Sequence, residues 1–174
     1  LRYRLNRMLP PDIAIRSIER AAPDFHARFD ALGKRYRYDI TLNKEPLLRY
    51  GALYFRKELD MEKLRRTSDM IIGEHDFSAF AVERSIPDNP RCEIFRSEWV
   101  DAPPILSYVV EGNRFLHRMI RCLVGAMLDC SRGRFSPEDF WEMLDSGERL
   151  FEYRVAAPHG LHLEEVYYDE SEFE

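Results

Sequence analysis

Residues 35–43 read RYRYDITLN, which places Tyr36, Tyr38, Ile40 and Leu42 on one side and Arg35, Arg37, Asp39 and Thr41 on the other. That alternation predicts a half-buried strand, because successive side chains of an extended chain point to opposite faces. Similar β-rich segments recur at 52–56, 93–100, 105–111 and 163–168, separated by short Pro and Gly turns with no repeat and no low-complexity linker. Helical spacing interrupts the strands. From Met61 to Ile72, Leu64, Thr67 or Ser68, and Ile71 recur at helical intervals, with Gly73 able to supply the left-handed residue that ends a helix. Ser136-Pro137-Glu138-Asp139 announces a further short helix: a hydroxyl cap, proline in the first turn, acids against the dipole, and Gly147 to close it. The expected fold class is α+β in a single domain, 1–174, with mostly antiparallel pairing and helices against the sheet.

The stretch NRFLHRMIRCLVGAMLDC, residues 113–130, is the most informative helix in the sequence. Leu116, Met119, Ile120, Leu123, Val124, Met127 and Leu128 make one apolar stripe, which predicts a core face. Arg114, His117, Arg118 and Arg121 fall on the far side with Gly125, where the missing side chain lets another backbone or a ligand come close. A polar face of one sign suits anions, although the same residues would also serve as a solvated face or as structural ion pairs.

A chain of 174 residues that is 45% hydrophobic is long enough to bury a full core. Nothing in it approaches the run of apolar residues that spans a bilayer, and the N-terminal stretch has no apolar signal core, so a cytoplasmic location is expected. Cys92, Cys122 and Cys130 form no CxxC pair and the five histidines are scattered, so buried reduced thiols are expected, with no metal site. The net charge of −5 argues at first against nucleic acid, but six acids and no base lie in residues 164–174, and an acidic tail is read at 169–174. Residues 1–40 hold nine Lys and Arg against five acids, and residues 112–134 hold five Arg against one Asp. Two positive patches on a near-neutral body result.

The stretch FHARFDALGKRYRY, residues 25–38, interleaves His26, Arg28, Lys34, Arg35 and Arg37 with Phe25, Phe29, Tyr36 and Tyr38. Cations neutralise phosphates and aromatic faces stack on unpaired bases, so the mixture suits RNA better than duplex DNA, while an amphipathic strand accounts for it equally well. Arg121 stands one turn before Gly125, and its fork is suited to a carboxylate partner. Gly73-Glu74-His75-Asp76-Phe77 could form an acid/base cluster, but reads rather as a helix end, with His75 and Asp76 satisfying backbone groups while Phe77 and Phe80 pack. No phosphate-binding glycine loop, nucleophile elbow or HExxH is present.

Six segments in order resemble the TruA family of tRNA pseudouridine synthases: LNRMLPPDIAI (5–15), DFHARFDALGKRYRY (24–38), GEHDFSAF (73–80), NPRCEI (89–94), NRFLHRMIRCLVGAML (113–128) and AAPHGLHLEEVYY (156–168). The resemblance implies the pseudouridine synthase fold, a mixed, mostly antiparallel sheet flanked by helices, in a homodimer that cradles tRNA. It implies isomerisation of uridines of the tRNA anticodon arm without metal or cofactor. Tyr36 matches the family's active-site tyrosine, which packs on the target base, and Arg121 the arginine that pairs with the catalytic aspartate. His26, Arg28, Lys34 and Arg35 lie in the motif that approaches RNA, and Arg114, His117 and Arg118 are expected to join them. The family's nucleophilic aspartate lies in a G-R-T-D-x-G-V-H-A motif upstream of the LN-x-x-LP segment, and this sequence begins at that segment. The expectation is a C-terminal portion of a synthase, inactive alone. The alternatives are a non-catalytic tRNA-binding module and a structural dimerisation domain.

Overall fold

The computed structural model describes residues 1–169, the side chain of Glu83 excepted; positions 170–174 of the acidic tail lie outside the described residues. Contacts divide the chain into two compact units, Leu1–Asp30 and the remainder from Ala31. The first unit holds one short helix, α1 (Arg2–Asn6), and is otherwise irregular. Its organiser is Asn6, whose side-chain amide donates to the Ile15 carbonyl at 2.9 Å and accepts the Ile15 N–H at 2.7 Å. An asparagine that satisfies both groups of a distant residue replaces the backbone pairing that an irregular segment lacks.

In the second unit the strands are β1 (Gly33–Thr41), β2 (Leu53–Tyr54), β3 (Gly73–Asp76), β4 (Arg91–Ala102), β5 (Ile105–Gly112) and β6 (Leu161–Tyr167). They form a sheet in the order β2-β1-β5-β4-β3, with β6 pairing antiparallel to β1. The only parallel pairing among these is the short one of β1 with β2. The sheet is therefore mixed and mostly antiparallel, and the helices α2 (Met61–Met70), α3 (Met119–Ser131) and α4 (Pro137–Ser146) pack against it, as expected of the pseudouridine synthase fold. β1 is central and long because its alternation serves two environments. Tyr38 and Ile40 face the helices with no exposure, beside Tyr108 and Leu106 of β5. The opposite face is also partly closed: Asp39 and Thr41 are buried, while Leu42, just past the strand, is exposed. Asp39 can be buried because Arg37 pairs with it at 2.9 Å and the Ser107 hydroxyl donates to it at 2.7 Å. Tyr108 is buried on the other side with its hydroxyl 2.9 Å from that of Ser97, so neither group is stranded.

α4 follows its punctuation in full. Ser136 accepts the Asp139 N–H, Asp139 accepts the Ser136 N–H, and Gly147 ends the helix at φ 70°. α2 begins at Asp60, whose carboxylate accepts the amides of Glu62 and Lys63, and buries Leu64, Thr67 and Ser68. It stops at Met70, before the expected end, and Gly73 at φ 100° opens β3. The GEHD segment is thus a strand paired with β4, not a helix end. Its local bonding is nonetheless of the expected kind: the Asp76 carboxylate accepts the Ser78 N–H, the His75 ring meets the Ile72 carbonyl, and Phe77 and Phe80 are fully buried. The largest correction concerns α3, which starts only at Met119. Residues 113–118 are non-helical, and Arg118 sits at φ 61° in the left-handed region. Arg114, His117 and Arg118 therefore share no helix face with Arg121. From Met119 to Ser131 every residue except Arg121 is buried, so the helix has no solvated cationic face.

Cys92, Cys122 and Cys130 are free and buried. Burial pushes the Cys92 and Cys130 thiols up to about 11 and raises that of Cys122 as well.

Candidate active site

Tyr36 lies on the helix-facing side of β1, where its half-buried ring meets Phe115 edge-on, with centroids 5.3 Å apart and planes at 80°. Phe115, Leu116, His117, Arg118, Met119, Ile120 and Leu161 join Tyr36 around a hollow of about 230 Å³. Its floor is apolar and its rim is cationic. The non-helical segment before α3 makes this possible. Asn113 exchanges bonds with Glu93 of β4, accepting one N–H and donating its own to the carbonyl, both at 3.0 Å. The chain then leaves the sheet and turns at Arg118, whose left-handed conformation costs an arginine about 1 kcal/mol. His117 and Arg118 end up exposed while Leu116 and Met119 on either side are buried. Burial raises the Tyr36 phenol above its ordinary range, so the group stays protonated at neutral pH. A protonated phenol packs on a base or donates to it.

Arg121 does not line this hollow. Its Nε donates to the Ala156 carbonyl at 2.7 Å, and the Ala156 N–H returns a bond to the Arg121 carbonyl at 3.0 Å. Its terminal nitrogens donate to no described residue. Arg121 stands close enough to Tyr38 to offset part of the burial that raises that phenol, and Tyr38 itself donates to the Ala157 carbonyl at 2.7 Å. Tyr36 and Tyr38 are neighbours on one face of β1, and Ile120, next to Arg121, walls the hollow. The Arg121 fork is therefore held near Tyr38 by a backbone clasp and outside the lining of the hollow, with its outer donors bonded to no described residue.

Other cations named from the sequence meet different fates. Arg35 is committed to carboxylates: Nε to Glu111 at 2.7 Å and Nη1 to Glu165 at 3.1 Å. Glu111 is 2% exposed and also takes Arg96 at 3.3 Å, so this side of the sheet carries a neutralised ladder. Lys34, Arg114 and Arg118 pair with no carboxylate among the described residues. In the first unit, His26 is locked locally: its N–H donates to Asp30 at 2.7 Å, and its Nδ1 accepts the amides of Arg28 and Phe29. Its ring lies 4.3 Å from Phe29, over which the Arg28 guanidinium also sits at 5.4 Å. That is a small exposed platform of cation and ring.

Sequence reasoning passed over Phe115, Leu161 and Ala156 as parts of the site. Phe115 lies inside the motif already quoted. Leu161 left no signal, since it reaches the hollow only because β6 pairs with β1 opposite Tyr38.

Residues 68–169 match the tRNA pseudouridine synthase family. A tRNA pseudouridine synthase A of Exiguobacterium sibiricum is 38% identical over 167 residues, covering 96% of this chain and 67% of the relative. The Bacillus subtilis protein of the same description is 37% identical over 170 residues, covering 96% and 68%. One from Staphylococcus aureus is 33% identical over 172 residues, covering 98% of this chain and 64% of its own length. The chain belongs to the TruA family of tRNA pseudouridine synthases and spans about two thirds of the length of these relatives. Among the described residues no helix is long and apolar enough to cross a membrane.

Proposed function

We propose that this chain supplies the tRNA-gripping surface and part of the active site of a cytoplasmic, homodimeric synthase that isomerises uridines of the tRNA anticodon arm. In this reading the nucleophilic aspartate comes from a G-R-T-D-x-G-V-H-A segment outside these residues. The observation that carries it is Arg121, a half-buried guanidinium whose Nε is pinned by Ala156 and whose terminal nitrogens donate to no described residue. Such a fork is pre-organised for a carboxylate and would hold it ionised and oriented.

Isomerisation breaks the bond from N1 of uracil to the ribose, turns the base and joins C5 to the ribose; a general base takes the C5 proton and N1 gains one, so there is no net gain or loss of atoms. The site must therefore hold a detached base. The nucleotide is first extruded from its arm at a cost of a few kcal/mol, offset by stacking and phosphate contacts. The Tyr36 ring, steadied edge-on by Phe115, packs against the base, and the apolar walls of the hollow keep water out. Exposed Arg118 and His117 at the rim, with Arg114 and Lys34, are the groups assigned to the flanking RNA backbone, whereas Arg35 is held by Glu111 and Glu165; His26 and Arg28 of the first unit are a separate candidate contact to RNA. The aspartate attacks at the sugar, with Arg121 setting its charge and direction.

Joining this chain to a segment that carries the missing motif is the direct test. Pseudouridine should appear in anticodon-arm RNA only with the joined protein, and the chain alone should give none. Salt-dependent tRNA binding without product from the joined protein would replace this reading with a non-catalytic tRNA-binding module.

A further inference from the structure

The clasp on Arg121 is itself held from further along α3. Asp129 is 4% exposed, yet it is a carboxylate in a helix whose other buried residues are apolar or small. Its Oδ2 accepts the Arg154 N–H at 3.1 Å and meets the Arg134 Nη1 at 3.2 Å, while its Oδ1 meets the Arg132 Nη1 at 3.5 Å. Between Asp129 and Arg121 lies Gly125, where a methyl group would overlap the Arg154 carbonyl oxygen. Residues 154–157 therefore lie directly on α3. They are fixed at one end by Asp129 through the Arg154 amide, at the middle by the two-way bonding of Ala156 with Arg121, and at the other end by the Tyr38 hydroxyl on the Ala157 carbonyl.

A buried carboxylate that accepts from a backbone amide is a costly way to hold a chain unless the hold matters. An apolar residue at 129 would suit the surrounding helix but would leave the Arg154 N–H without its acceptor. Two side chains take their direction from this segment: Arg121, whose Nε donates to the Ala156 carbonyl, and Tyr38, whose hydroxyl donates to the Ala157 carbonyl; of these, Arg121 is the one whose outer donors are bonded to no described residue. From these contacts we propose that Asp129 is a positioning residue for Arg121, acting through the Arg154–Ala157 segment and not by touching substrate. The proposal rests on the assignment of Arg121 to the reaction. It adds that the geometry of the fork is set two turns away on the same helix, by a group that the RNA never meets.

The experiment uses the protein joined to its motif-bearing segment and has two arms. In the first, amide and side-chain hydrogen exchange is followed by ¹⁵N NMR in the unsubstituted protein. If the segment opens as one piece, the Arg154 amide and the Arg121 Nε–H exchange through a common opening and respond in parallel to mild denaturant. In the second arm, Asp129→Leu removes the acceptor of the Arg154 N–H, and Asp129→Asn keeps an acceptor oxygen without the charge. The expected result for Asp129→Leu is loss of Arg121 Nε–H protection and a fall in kcat of about tenfold or more, with KM for tRNA within about twofold, and Asp129→Asn recovers most of it. A merely structural carboxylate would lower Tm without splitting kcat from KM.

Independent exchange of the two protons overturns the inference, even if the variants fail to fold. So does an Asp129→Leu protein with unchanged kcat. Absence of product from the unsubstituted protein overturns the functional reading and this inference with it, whereas product with uncoupled exchange overturns the inference alone.

Discussion

Two arginine-rich stretches look alike in the sequence and are opposites in the structure. On β1, Arg35 and Arg37 are bound to Glu111, Glu165, Asp39 and Glu164, so the charge of both arginines is spent within the sheet, and only Lys34 at the strand's start meets no carboxylate among the described residues. Around the start of α3, Arg114 and Arg118 meet no carboxylate among the described residues, and the terminal nitrogens of Arg121 donate to none of them. The difference comes from register. β1 is flanked by β5 and β6, which place Glu111 and Glu165 opposite Arg35. The 113–118 segment has left the sheet and has no partner strand to answer its charges. Cationic residues in a sequence are candidates for anion binding only after their internal partners have been subtracted.

That contrast can be broken at each of its members. The largest effect is expected at Arg121: Arg121→Lys keeps the charge but loses the planar fork, and pseudouridine formation by the joined protein should fall about a hundredfold, with tRNA affinity little changed. Activity within threefold of the parent would dissolve the distinction between spent and unspent arginines. Next is Arg35→Gln, which leaves the nearly buried Glu111 with Arg96 alone. Chemical denaturation should show a loss of about 2 kcal/mol, because a desolvated carboxylate has lost its nearer partner, while the salt dependence of tRNA binding stays as it was. If instead binding weakens with no loss of stability, Arg35 faces RNA and the sheet ladder is incidental. The smallest effect belongs to Arg118→Gln, which should leave folding intact and reduce the slope of log affinity against log salt by about one. An unchanged slope would remove Arg118 from the interface.

The sequence was most legible where a rule is local. The Ser136–Asp139 box and Gly147 define α4 almost to the residue because hydroxyl, acid and glycine each answer a specific orphan group at a helix end. The alternation of residues 35–41 announced a strand, but not its burial: residues 34–37 are half-buried on both faces and 38–41 buried on both, because the strand is central and Asp39 is closed over by Arg37 and Ser107. Periodicity failed at residues 113–118: Leu116 is buried as the apolar stripe requires, but it is buried from a turn. Asn113 is tied to Glu93 across the hairpin partner, and Arg118 adopts a backbone conformation that an arginine's identity does not announce. β3 was missed for a related reason. GEHD has weak strand character of its own and is extended because β4 offers it an edge. In the candidate site, Tyr36 and Arg121 stood out through their motifs. Leu161 and Ala156 are brought in by strand pairing and by the close approach at Gly125, neither of which is written near them in the chain.

The buried thiols have a practical consequence. With Cys92, Cys122 and Cys130 shielded and held protonated through the neutral range, a maleimide dye has nothing native to attack. One surface cysteine introduced away from the hollow would take a fluorophore at a single address, with no need to strip the native sulfurs first, and distances to labelled RNA could then be followed during turnover.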